Sequence, residues 1–129
     1  MANEGALEQV AWMVASSLEG VVRGQPFGPG YDVSTVVGKV FMLITEVPGR
    51  LVVTVKCEPE YATALRAEFP TITPGYHMNK RHWISIANGT GITADLVTEL
   101  VTNAYLLVVD TLPQRLRPPR PDPPEPRSL

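Results

Sequence analysis

The run Tyr31-Asp32-Val33-Ser34-Thr35-Val36-Val37-Gly38-Lys39-Val40-Phe41-Met42-Leu43-Ile44-Thr45-Glu46-Val47-Pro48-Gly49-Arg50-Leu51-Val52-Val53-Thr54-Val55-Lys56 decides the fold. Residues 31–37 are rich in Val, Thr and Ser and read as a strand ending at a tight Gly38-Lys39 turn. Residues 40–46 are apolar at both parities, the mark of a central strand covered on both sides. After Pro48-Gly49-Arg50, residues 51–56 alternate, with Leu51, Val53 and Val55 on one face and Val52, Thr54 and Lys56 on the other. Two short turns leave no room for crossovers, so the three strands form an antiparallel meander.

Helical spacing flanks this meander. Upstream, Leu7, Val10, Ala11, Val14, Leu18 and Val21 predict a helix over 4–22, with Asn3 as N-cap, Gly20 or Gly24 as stop, and Trp12 and Met13 widening the stripe. Residues 24–30 hold two prolines and three glycines and read as a loop. Downstream, Pro59 opens a second helix whose apolar side is Ala62, Leu65 and Phe69, and Pro70 ends it. A loop over 74–80 leads into a fourth strand at 82–86. Thr93 caps a last helix that carries Leu96, Val97, Leu100, Val101, Ala104, Leu107 and Val108 and stops at Pro113. The expected order is α-β-β-β-α-β-α, an α+β domain with helices packed on one face of an antiparallel sheet.

A length of 129 residues favours a single domain, here 1–117. From Pro118 the chain reads Pro-Pro-Arg-Pro-Asp-Pro-Pro-Glu-Pro-Arg-Ser-Leu, too poor in apolar residues to offset ordering entropy, so 118–129 is expected to be a disordered tail. The single cysteine, Cys57, excludes an internal disulfide and fits a reducing compartment. Glu4 and Glu8 stand where a signal peptide needs neutral or positive residues. No stretch reaches the roughly 18 apolar residues of a membrane span. The expectation is a cytoplasmic protein with no membrane partner.

Charge is unevenly spread. Residues 1–112 hold seven Lys/Arg against eleven Asp/Glu, and residues 113–129 hold four against two. The folded part is therefore acidic overall, unlike most dedicated nucleic-acid binders. Its basic feature is local: Pro74-Gly75-Tyr76-His77-Met78-Asn79-Lys80-Arg81-His82-Trp83 puts two aromatics, two imidazoles, a carboxamide and two cations side by side. With Lys39 at the first hairpin and Lys56 at the end of the third strand, Lys80 and Arg81 would form a small basic patch. Tyr76 and Trp83 offer stacking faces and Asn79 a pairing amide. The competing reading makes Trp83 core, the lysines solvated, and His77 and Asn79 local backbone partners.

Other chemistries find less support. His77 and His82, with Cys57 as a third ligand, have a spacing that fits no common zinc pattern. Cys57 sits at a strand–helix junction where helix N-terminal amides would lower its pKa, yet a buried cysteine there is more often packing. Neither a Gly-x-Ser-x-Gly nor a phosphate-binding glycine loop is present. The expectation is a protein without catalytic residues, metal or cofactor.

The motifs Pro26-Phe27, Gly38-Lys39-x-Phe41, Lys56-Cys57-x-Pro59-Glu60, Pro74-Gly75-Tyr76-His77-Met78-Asn79-Lys80-x-His82-Trp83 and Tyr105-x-Leu107-Val108 occur in this order. In them the chain resembles the MmcQ/YjbR-like family of small bacterial proteins over about residues 5–117. The resemblance implies a frataxin-like (CyaY-like) α+β fold and a DNA-binding role through wing-like hairpins. By position it implies contacts from Lys39, Lys56, Tyr76, His77, Asn79, Lys80, His82 and Trp83, with Arg81 beside them, and it brings no catalytic residues. The leading expectation is a non-enzymatic module that binds DNA weakly and without sequence preference. The alternative is a small anionic ligand or a protein partner held by the same surface. In the tail, Arg115, Arg117 and Arg120 would add an electrostatic arm.

Overall fold

The structure, a computed structural model, describes residues 4–47, 49–75 and 78–121. Among the described residues the elements are α1 (Glu4–Ser17), β1 (Val21–Gly24), β2 (Tyr31–Val36), β3 (Lys39–Val47), β4 (Arg50–Lys56), α2 (Pro59–Glu68), β5 (Ile72–Pro74), β6 (Trp83–Ala87) and α3 (Ala94–Val109). A short 3-10 turn follows at Gln114–Leu116. The strands form one antiparallel sheet in the order β1-β2-β3-β4-β6-β5. This is the α+β architecture the sequence points to, with two further strands.

Both additions have a local cause. The helix expected over 4–22 ends at Ser17, because Gly20 takes φ +77° and turns the chain into β1. Val21 thus joins a strand paired with β2 rather than the helix stripe. The three-residue β5 is too short to show a period; it forms because Ile72, Thr73 and Pro74 pair with Ile86, Ser85 and Ile84. The N-cap expected at Asn3 lies outside the described residues.

The meander stands as read. Met42 pairs with Val55, Ile44 with Val53, and on the next strand Val55 pairs with Ile84 and Val53 with Ile86. These side chains form one face and join Leu7, Ala11, Ala15, Ala62, Leu65, Leu100, Val101 and Ala104 from the three helices in a single buried core. A bulge sits where the β2–β3 register shifts, leaving Phe41 without a partner, and both Phe41 and Met42 are wholly buried. Phe41 meets Tyr105 of α3 edge-on, ring centroids 5.6 Å apart. Tyr105 donates its hydroxyl to the Glu19 carbonyl at 2.6 Å, which ties the α1–β1 link to α3.

The opposite face carries Val33, Leu43, Thr54 and Ser85 in register. Thr54 and Ser85 share a buried hydroxyl–hydroxyl hydrogen bond of 2.7 Å, so two polar groups are satisfied in the middle of the sheet. α3 starts on its expected cap, with the Leu96 amide donating to Thr93 Oγ1 at 3.1 Å. No described helix is long and apolar enough to cross a membrane.

Candidate functional site

Strand direction gathers the basic residues. Lys39 opens β3, Lys56 closes β4 and Trp83 opens β6, and because neighbouring strands run antiparallel, all three fall at one end of the sheet. The hairpin turn at Val37-Gly38 and the segment between β5 and β6 leave the sheet at that same end. Main-chain bonds fix the second of these. The Gly75 amide donates to the Trp83 carbonyl at 2.9 Å, and the Cys57 amide donates to the His82 carbonyl at 2.8 Å. A Cβ on Gly75 would stand 2.5 Å from the Trp83 Cβ, so only glycine permits this approach.

Asn79 shapes the turn. Its Oδ1 accepts from the Arg81 amide at 2.9 Å and the His82 amide at 3.3 Å. This Asx-type bonding holds Lys80 and Arg81 on a tight bend and exposes both. The carboxamide expected to pair with a base therefore has its oxygen engaged by the backbone.

Trp83 corrects a second expectation. The residue is 8% exposed, so its indole is part of the structure rather than a free stacking platform. Lys56 Nζ lies 5.5 Å from its ring centroid, within cation–π range, which couples the end of β4 to the start of β6. Lys39 shares this end of the sheet but not this face. It pairs with Val36, a residue of the helix-covered core, whereas Lys56 pairs with Trp83 on the other side. The single patch expected from four cations is thus split. Tyr76 and His77 lie outside the described residues. His82 is exposed.

Lys80 and Arg81 meet a cation that the sequence reading did not single out. With Arg66, Thr63, Glu60 and Pro59 of α2 they line a groove of about 270 Å³. Arg66 Nη2 lies 3.5 Å from Thr63 Oγ1, while its Nη1 is buried with no hydrogen-bond partner. Among the described residues no ion pair involves Arg66, Lys80 or Arg81. A signal for Arg66 existed: Thr63 and Arg66 stand at i, i+3, a polar pair beside the apolar Ala62 and Leu65. What the sequence could not show is that the 79–82 turn packs beside it.

A second cavity, of about 220 Å³, opens on the other flank of α2, between β4 and α3. Leu100, Leu106 and Leu107 supply its apolar part, and Lys56, Glu58, Asn103 and Asp110 its polar part. Two of its polar members are paired with residues outside the lining. Tyr61 donates to Glu99 Oε2, and Asp110 Oδ1 accepts from Arg120 Nη1 at 2.7 Å. Cys57, 4% exposed, adjoins this cavity. Burial first, and the Glu58 carboxylate next, push its thiol up to about 11. Burial outweighs any lowering by the helix N-terminal amides, in keeping with a packing cysteine: at neutral pH the group is a protonated thiol. Among the described residues no cluster of three His, Cys, Asp or Glu side chains is placed to hold a metal ion.

Side chains on either side of residue 118, where the tail is expected to begin, have partners. Arg117 donates to the Leu112 and Asp110 carbonyls, each at 3.0 Å, which satisfies chain ends at the C-terminus of α3. Arg120 pairs with Asp110, so two of the three arginines expected to form an electrostatic arm are held against the domain. Residues 122–129 lie outside the described residues.

The YjbR family model matches residues 16–107. Escherichia coli O157:H7 protein YbdF is 39% identical over 113 residues, covering 88% of this chain and 93% of that one. YjbR of Escherichia coli K12 is 31% identical over 78 residues, or 60% of this chain and 66% of that one. Among solved structures, the Deinococcus radiodurans protein DR2400, a DUF419 domain, superposes with a TM-score of 0.73 at 30% identity, covering 81% of this chain and 80% of that one. A Pseudomonas syringae protein does so at 0.65 and 22% identity, over 83% and 98%, and shares the fold. The match runs from the end of α1 to the last turns of α3 and includes the Asn79–Trp83 turn and the α2 groove; on that extent the chain belongs to the YjbR family.

Proposed function

We propose that the protein is a non-enzymatic binding module for nucleic acid that holds the sugar–phosphate backbone and does not read bases. One observation carries this reading: Lys80 and Arg81 are exposed, adjacent and without ion-pair partners among the described residues, on a turn that Asn79 and Gly75 hold rigid. Phosphate contacts of this kind position a protein on a strand without specifying sequence. The DNA-binding role implied by the sequence resemblance points the same way. Burial of Trp83 and the engagement of Asn79 Oδ1 by backbone amides weigh against base readout by these two groups. Cys57 is buried and protonated, which favours packing over nucleophilic chemistry.

The formal charge of −2 and the small number of free cations limit the strength of association. Fluorescence anisotropy with labelled duplex and single-stranded oligonucleotides at about 50 mM salt tests the reading. Weak binding that tolerates changes of base sequence is expected. Absence of binding to every oligonucleotide at that salt overturns it.

A further inference from the structure

We propose that the groove between α2 and the 79–82 turn is a subsite for a phosphomonoester dianion, the terminal phosphate of a nucleotide or of a nucleic-acid strand. The ligand class rests on the nucleic-acid reading; the anion site itself rests on the groove.

Arg66 makes the groove more than a pair of solvated surface charges. Its Nη1 is buried without an acceptor, although buried donors are nearly always paired in native structures. The planar guanidinium lines the groove with Nη2 beside Thr63 Oγ1, and such a fork suits a phosphate, which offers oxygens at its spacing. Lys80 and Arg81 supply two further cations from the facing turn, and Thr63 adds a hydroxyl beside the guanidinium. Three like charges around one hollow repel each other until an anion enters.

Charge count selects the kind of phosphate. Among the described residues of the lining Glu60 is the one carboxylate against three cations, which leaves two formal positive charges. A monoester with a second pKa near 6 carries close to two negative charges at neutral pH, whereas a backbone diester carries one. The site therefore prefers a strand end or a free nucleotide to the interior of a strand.

Two oligonucleotides identical except for a 5′-phosphate, and a nucleoside monophosphate against its nucleoside, are titrated at constant ionic strength and pH 8. The full chain, its Arg66→Gln variant and a Lys39→Gln variant are compared. The phosphorylated strand is expected to bind about tenfold tighter, the scale of one strong charge-assisted contact. Arg66→Gln should abolish that preference and leave affinity for the unphosphorylated strand within about twofold, while Lys39→Gln keeps the preference. If Arg66→Gln does not fold, the double variant Lys80→Gln/Arg81→Gln on the exposed turn replaces it in the monophosphate titration alone, where it should abolish the preference for the monophosphate over its nucleoside, and a preference that survives there overturns the proposal. A monophosphate that binds while no oligonucleotide does would retain the subsite and discard the nucleic-acid reading. Oligonucleotides that bind equally with and without the 5′-phosphate would discard the subsite and retain that reading. A preference that survives in the folded Arg66→Gln variant also overturns the proposal.

Discussion

Helix α2 has a hollow on each flank, and the two differ in charge pairing more than in size. Toward α3 the cavity is about 220 Å³; toward the 79–82 turn the groove is about 270 Å³. In the first, Tyr61 has Glu99, Asp110 has Arg120, and Cys57 keeps its proton. In the second, three cations share no ion pair among the described residues, and one guanidinium nitrogen is buried without an acceptor. A hollow in which a carboxylate and a hydroxyl are already engaged, and cation and carboxylate both stand in the lining, offers an anion less. A hollow with charge left over is where a partner of opposite sign gains most. Volume alone would have ranked these two sites as equals.

The sharpest way to break this contrast is Trp83→Ala. If the indole is a buried prop for the strand from which the basic turn hangs, its loss costs about 3–5 kcal/mol in chemical denaturation. Unchanged stability with lost nucleic-acid binding would instead make Trp83 a ligand platform and return the site to the face that carries Lys56.

Next in size is an alkaline test of the paired cavity. Cys57 ionises at about 11 in the folded chain against an ordinary 9.0, so the folded state holds this proton the more tightly. Its contribution to stability is fully present below pH 9 and is lost as pH rises through 11, a drop of roughly 2–3 kcal/mol. Cys57→Ala should lose that fraction of the alkaline decline when denaturation midpoints are compared between pH 8 and pH 11. The same decline in both proteins would mean that the thiol is not the burdened group.

Smallest is Asn79→Ala, which removes the acceptor for two backbone amides in the exposed turn. About 1 kcal/mol of stability or less is expected, with a larger proportional loss of oligonucleotide affinity as Lys80 and Arg81 lose their fixed placement. An affinity loss no greater than the stability loss explains would show that the turn needs no ordering to work.

Much of this was legible in the sequence because it depended on period. The alternation of residues 51–56 and the two-sided apolar run at 40–46 gave the central strands, and i, i+3, i+4 spacing gave the three helices. The strands at Val21–Gly24 and Ile72–Pro74 were missed because four and three residues are too few to show a period; pairing with long neighbours creates them. At the site, the local run 79–83 was visible, but its grouping was not. Lys39 and Lys56 fall at one sheet end by strand direction and are parted by register, which requires knowing that Lys39 pairs with Val36. Arg66 was hidden for the opposite reason. Its pair with Thr63 on α2 is ordinary for a solvated helix face, and only the packing of the turn against it makes the charge matter.

Whether phosphate is held by the turn and α2 is decided by the salt dependence of oligonucleotide binding, measured for the full chain and for the Arg66→Gln/Lys80→Gln/Arg81→Gln variant. Each phosphate contact contributes about −0.7 to −0.9 to the slope of log affinity against log salt, so the two contacts from Lys80 and Arg81 give a slope of about −1.4 to −1.8 on an unphosphorylated strand. The full chain should show that slope and the variant should bind too weakly to give one, with its fold intact. Equal slopes for the two proteins would place the phosphate contacts elsewhere and contradict this placement.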